Sequence, residues 1–175
     1  NTFTINGTPT AAGVFNFQVN TTGGCPSSGP LSGVITVNQR VTMTLYSAAT
    51  TPFQTPCANS QITPISYELG NGATGAQVTN LPPGLTANYN PTTKIFTISG
   101  IVTTPGIYNY TVTTVDGCGP PVTLAGTIEV RQGPTIALIS PPQFADQSVC
   151  VNDAIQNIVY QVGNGATGAS LVAGT

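Results

Sequence analysis

The chain contains no histidine and no tryptophan, and of its 175 residues only three are basic and five acidic. Each shortage removes a class of function. Without histidine, neither a Ser-His-acid triad nor a Cys-His pair can be assembled. A net charge of −2 leaves no basic stripe to neutralise phosphates, which argues against nucleic-acid binding. The acids Glu68, Asp116, Glu129, Asp146 and Asp153 are too scattered to build the clustered calcium sites of cadherin-like domain boundaries. Zinc would fall to four cysteines whose spacings of 32 and 61 residues lack short C-x-x-C pairs. The expectation is no metal and no cofactor. No apolar run approaches the roughly 18 residues of a membrane helix, and nothing at the start resembles a signal peptide, so mature, soluble sequence without membrane insertion is expected.

What is abundant is small and uncharged. Twenty glycines, fifteen prolines and many threonines, with 39% hydrophobic residues, suit short strands joined by tight turns better than helices. Regular apolar alternation at low charge argues against disorder. Solubility must rest on hydroxyl and amide groups, which leaves neutral strand edges and makes self-association a property to look for.

The strongest signal is a gapless repeat every 93 residues. Phe3-Thr4-Ile5 returns as Phe96-Thr97-Ile98, Cys25 as Cys118, Cys57 as Cys150, and residues 70–76 as 163–169. Residues 1–82 laid on 94–175 share about 32 identities, none of them Asp, Glu, Lys or Arg. What repeats is scaffold. On this frame residues 1–38 are the C-terminal half of one unit, 39–131 a complete unit, and 132–175 the N-terminal half of the next, so the chain reads as a window on a longer array. The complete unit reads as about seven strands: residues 42–46, an edge segment over 57–62, then 65–69, 76–81, 85–89, 95–99, 107–115 and a last strand on which Val122, Leu124, Gly126, Ile128 and Val130 point inward. Tyr108, Tyr110 and Val112 share the core face, as do Phe15, Phe17 and Val19 one period earlier. The fold class is therefore all-β, in tandem immunoglobulin-like sandwiches.

Residues 81–85 (LPPGL), 96–100 (FTISG), 106–112 (GIYNYTV), 116–118 (DGC) and 126–130 (GTIEV) resemble the immunoglobulin-like and PKD-like repeats of large Bacteroidota surface adhesins exported by type IX secretion, including SprB-like gliding adhesins. The resemblance covers the whole chain. It implies a non-catalytic segment of a long extracellular filament serving adhesion or gliding motility. The implied partners are neighbouring repeats, other filament chains, and surface polysaccharide or the substratum.

Individual motifs are weighed against that frame. Residues 70–75 satisfy G-x-G-x-x-G, but a dinucleotide site needs a helix at the third glycine and an acid about 20 residues on, and neither is present. An internal Lys-to-Asn isopeptide bond would need an acid beside the pair; the complete unit has Lys94 and Glu68, but Lys94 becomes Asn1 one period back. Asn6, Asn20 and Asn109 head glycosylation sequons in a chain where threonine is common enough for chance matches. Two cysteines per period point to disulfides in an oxidising, extracellular compartment. If Cys57 opens an edge segment beside the last strand and Cys118 sits just before that strand, both lie near one end of the sandwich. A Cys57–Cys118 bridge then follows, stabilising by roughly 4 kcal/mol, with Cys25 and Cys150 paired outside the chain. The rival is a staple across each junction, Cys25 to Cys57 and Cys118 to Cys150. Beside the structural reading stands a second, a carbohydrate-binding accessory module of a secreted multidomain enzyme. Most Tyr and Phe alternate with the core face, which leaves few aromatics for stacking on sugars.

Overall fold

A computed structural model describes residues 2–24 and 29–172. Among these there is no α-helix, and no helix long and apolar enough to cross a membrane. A first hairpin pairs β1 (Gly13–Val19) with β2 (Leu31–Val37). Nine strands follow: β3 (Thr42–Leu45), β4 (Phe53–Gln54), β5 (Ser60–Gln61), β6 (Ile65–Gly70), β7 (Gly75–Thr79), β8 (Leu85–Asn90), β9 (Ile95–Val102), β10 (Gly106–Val115) and β11 (Thr123–Val130). Finally β12 (Thr135–Leu138) pairs with β13 (Tyr160–Gly163), with a 3-10 turn at Pro142–Phe144 between them.

Strands β3 to β11 make two facing sheets. One has the order β3-β6-β9-β5 with β8 also on β9, and the other has the order β4-β11-β10-β7. This is the A-B-E-D and A′-G-F-C arrangement of an immunoglobulin-type sandwich, so the all-β expectation holds. The alternation read along residues 65–69, 95–99 and 107–115 appears as β6, β9 and β10. The segment over 57–62 is instead split, because Asn59 takes a left-handed conformation with φ 64° and only Ser60–Gln61 pair with β9.

All the fully buried apolar side chains lie between Val41 and Val130 among the described residues. Ile65, Tyr67 and Leu69 of β6 and Phe96 and Ile98 of β9 meet Tyr110 and Val112 of β10 and Ile128 and Val130 of β11. Each strand contributes every second residue, as a pleated strand with one buried face must. At the centre the Tyr67 and Tyr110 hydroxyls hydrogen-bond at 3.1 Å, and Tyr110 also donates to the Pro52 carbonyl at 3.5 Å. Tyr110 lies over Gly126, its strand partner. A Cβ at Gly126 would collide with the Tyr110 hydroxyl and ring and come within 2.6 Å of the Pro52 oxygen. The glycine is there to make room for the ring. Gly33 stands in the same relation to Phe17.

The hydrogen-bond registers recur at the offset seen in the sequence. Gly13 pairs Val37 as Gly106 pairs Val130, and Thr42 pairs Gly70 as Thr135 pairs Gly163. Loop contacts recur as well. The Gln54 amide bonds the Thr51 and Thr63 carbonyls and accepts from Thr63 N–H, and Gln147 does the same with Phe144 and Gln156. Ser47 Oγ accepts from Ser66 N–H at 3.0 Å, and Ser140 Oγ from Val159 N–H at 3.1 Å.

Two measurements check this core. Gly126→Ala should lower the unfolding free energy by about 1–3 kcal/mol, the usual cost of overpacking, in urea titration; an unchanged midpoint would contradict the fit of Tyr110 over Gly126. Burial raises the pKa of both tyrosines, Tyr110 more strongly with the help of its bond to Tyr67, while for Tyr67 that bond partly offsets the rise. A raised folded value means the unfolded chain loses its phenolic protons first. Stability should therefore be full below about pH 10 and fall above it, by up to about 1.4 kcal/mol per pH unit for each withheld group. Tyr67→Phe should flatten that decline, and an alkaline limb equally steep in the variant would refute it.

Candidate functional site

No cluster of three or more His, Cys, Asp or Glu that could hold a metal occurs among the described residues. The polar features that recur lie at the two ends of the sandwich. At one end, residues 70–75 join β6 to β7 as a turn. Asn71 and Gly72 both have positive φ, 54° and 85°, and the chain then enters a strand, so the G-x-G-x-x-G letters build a turn with no helix to receive a pyrophosphate. This turn is tied to its surroundings. Asn71 Nδ2 donates to the Arg40 carbonyl at 2.9 Å, Thr74 Oγ1 donates to the Asp116 carboxylate, and Val41 N–H donates to the Cys118 carbonyl at 2.9 Å. Residues 116–119 supply the opposite wall. Gly117, at φ 94°, lets Val41 approach so closely that a Cβ would lie 2.8 Å from Val41 Cβ.

A cleft of about 700 Å³ lies between this end and the β1–β2 hairpin, lined by Gly13, Asn38, Gln39, Asn71, Gly72 and Cys118 among others. A second, of about 710 Å³, lies at the other end between Cys57, Arg131, Gln132 and residues 164–168. Asn38, Gln39, Asn71 and Gly72 stand 93 residues before Arg131, Gln132, Asn164 and Gly165. The two clefts are thus one junction seen twice. Both are shallow and open, with backbone and carboxamides beside Val14, Val37 and Cys118 in the first and Cys57, Arg131 and Pro134 in the second. Chemically they offer hydrogen bonds and apolar contact.

The cysteines are not where the sequence expectation put them. Strand β4 runs parallel to β11, with Phe53 opposite Thr127, so the chain that continues from β4 reaches the far end of β11, where Cys57 is the partner of Arg131. Cys118 precedes β11 and is the partner of Arg40. The eight residues of β11 separate them, on the order of 25 Å, far beyond the 7 Å limit of a disulfide. Cys57, Cys118 and Cys150 are free and exposed. The Cys57–Cys118 bridge is therefore corrected: the sequence shows that both cysteines flank the last strand but not that the flanks are opposite. Cys25, and with it the Cys25–Cys57 staple, lies outside the described residues.

The remaining candidates are exposed. Lys94 occupies a left-handed turn before β9, away from any buried acid, and Glu68 faces solvent on β6. Asn6, Asn20 and Asn109 are exposed. Glu129 and Arg131 pair at 3.2 Å on the surface. Two features were missed in the sequence. The Gln54 and Ser47 loop clamps were visible only as polar identities, Gln54 with Gln147 and Ser47 with Ser140, outside the strands. The outer face of the first sheet carries a groove lined by Tyr46, Asn88, Asn90, Thr93, Ile95 and Thr97, and Tyr46 is 66% exposed.

Alkylation of the folded chain without reductant should modify both Cys57 and Cys118, read by peptide mass mapping. A cross-linked peptide joining these two residues would contradict the strand order.

No protein-family model matches the chain, and no curated protein matches it. Among solved structures it is similar to surface layer protein SbsC, domains 4–9, with a TM-score of 0.39 and 13% identity over 89% of this chain and 24% of that chain.

Proposed function

We propose that the chain is a non-catalytic structural segment of a long cell-surface filament, in which immunoglobulin-like units spanning 1–38, 39–131 and 132–175 are strung end to end. The observation that carries this reading is the equivalence of the two end clefts, with the same turn, linker and strand registers on each side at one offset. A unit whose ends are specialised for a neighbour, and whose repeated residues are all scaffold, adds length. The resemblance to repeats of Bacteroidota adhesins supports extracellular display through type IX secretion, with adhesion or gliding as the use. Antibodies raised against residues 39–131 should label fibres on intact source cells by electron microscopy. Labelling only after permeabilisation would contradict surface display.

The Tyr46 groove favours one further reading. An exposed phenol ring beside two carboxamides and two threonine hydroxyls is the chemistry that stacks on and hydrogen-bonds a neutral sugar. On a glycan array, binding by residues 39–131 that is abolished by Tyr46→Ala would favour recognition over spacing. Absence of binding, or binding indifferent to Tyr46, leaves the structural role alone.

A further inference from the structure

Glycine follows asparagine at three places in the chain, Asn6-Gly7, Asn71-Gly72 and Asn164-Gly165. This dipeptide has a chemistry of its own, because a residue without Cβ leaves its backbone nitrogen unshielded. At the second site the Gly72 nitrogen, giving up its proton to solvent, bonds to Asn71 Cγ, and Nδ2 leaves as ammonia. Water then opens the cyclic imide. Opening at Cγ leaves aspartate, and opening at the main-chain carbonyl leaves isoaspartate, with the chain rerouted through the side chain. The only co-reactant is water.

Within the complete unit the fold supplies these reactants and restrains one of them. Asn71 and Gly72 are both exposed, so water reaches them. The Ala73 N–H closes the turn on the Gly70 carbonyl at 3.4 Å, while the Gly72 N–H donates to no group among the described residues. The nucleophile is unengaged. The leaving group is not, since Asn71 Nδ2 donates to the Arg40 carbonyl at 2.9 Å, and loss of ammonia must first break that bond. Arg40 is held in turn by the next residue: Val41 N–H donates to the Cys118 carbonyl at 2.9 Å, and Gly117, at φ 94°, lets Val41 lie close. The repeat provides a comparison. Residues 163–166 make the same turn, with Asn164 at φ 53°, Gly165 at φ 76° and the Ala166 N–H on the Gly163 carbonyl at 3.3 Å. There Asn164 Nδ2 reaches only the Thr135 hydroxyl at 3.4 Å, beyond the usual length of such a bond. One backbone conformation thus carries the dipeptide twice, once firmly latched and once loosely.

We propose that Asn71 is a latched deamidation site. While residues 40–41 stay against residues 116–119, the Arg40 carbonyl holds the carboxamide; when they part, Asn71 converts to aspartate or isoaspartate. The conversion runs one way, because a carboxylate has no N–H to give back to the Arg40 carbonyl. It also adds a negative charge to a turn whose Thr74 hydroxyl already donates to the Asp116 carboxylate. The turn thereby records each opening of the segment that leads into β3 as a permanent chemical change, and the tie between linker and turn is lost. The inference concerns the chemistry of this turn and stands apart from any role of the chain in a filament.

The test incubates the whole chain in mildly alkaline buffer, with and without urea, and follows Asn71 and Asn164 by peptide mass mapping that separates aspartate from isoaspartate. In urea the two sites should convert at equal rates. In the folded chain Asn71 should convert more slowly than Asn164, by roughly fivefold, the worth of one net hydrogen bond. Gly117→Ala places a Cβ 2.8 Å from Val41 Cβ and should raise the Asn71 rate while leaving that of Asn164 unchanged. Asn71→Asp, which installs the product directly, should speed hydrogen exchange at the Val41 amide and leave the amides of β6, β9 and β10 as slow as before. The rate order in the unaltered chain is read whether or not either variant folds. Conversion of Asn71 in the folded chain as fast as that of Asn164, or as fast as in urea, would overturn the proposal. So would an Asn71 that fails to convert even in urea, or a Val41 amide indifferent to Asn71→Asp.

Discussion

Everything in this molecule follows from one constraint: a sheet with an apolar face must have that face covered by another. The complete unit meets the constraint internally. Tyr67 and Tyr110 reach across the gap between the sheets, satisfy each other's hydroxyls, and rely on Gly126 to leave the space that the Tyr110 ring fills. A phenol buried without a partner would cost about 1–3 kcal/mol, so the paired arrangement removes a penalty as well as filling volume. Position 17, the counterpart of Tyr110, is a phenylalanine over Gly33; there the ring is retained and the hydroxyl is not. Packing is what the repeat preserves.

The low charge has a structural counterpart at the junctions. Only one ion pair, Glu129 with Arg131, forms among the described residues, and it lies on the surface. Order in the loops is supplied by carboxamides and hydroxyls: Gln54 clamps the segment between β4 and β6, Ser47 ties β3 to β6, and Asn71 ties the turn to the linker. Such contacts are largely insensitive to ionic strength, in contrast to exposed charge pairs. A neutral framework of this kind holds its shape across changing salt conditions.

The strands were legible because alternation marks a half-buried strand directly. Residues 65–69 read apolar at every second position, and that pattern is what β6 buries. Register was not legible; the repeat foretold only that a pairing would recur at its offset, as Gly13 with Val37 and Gly106 with Val130 do. Nor was chain direction. Nothing in the residues 53–61 states whether the segment beside the last strand runs with it or against it, and the parallel course of β4 is what sends Cys57 to the end opposite Cys118. The glutamine clamp was equally hidden. A side chain that bonds a carbonyl nine residues away has no local pattern, and only its return as Gln147 marks it. The Tyr46 groove escaped because its members, Tyr46 just after β3, residues of β8 and β9 and Thr93 in the turn between them, meet only after the sheet forms.

The central claim is that residues 39–131 close a sandwich of their own, and the flanking hairpins are proposed to belong to other sandwiches. Native-state hydrogen exchange on the dilute chain tests it most directly. The account expects the amides of β6, β9, β10 and β11 to exchange together and slowest, through global unfolding, while those of β1, β2, β12 and β13 exchange orders of magnitude faster. Uniform protection across residues 2–172, or early exchange in β10 and β11, would contradict it.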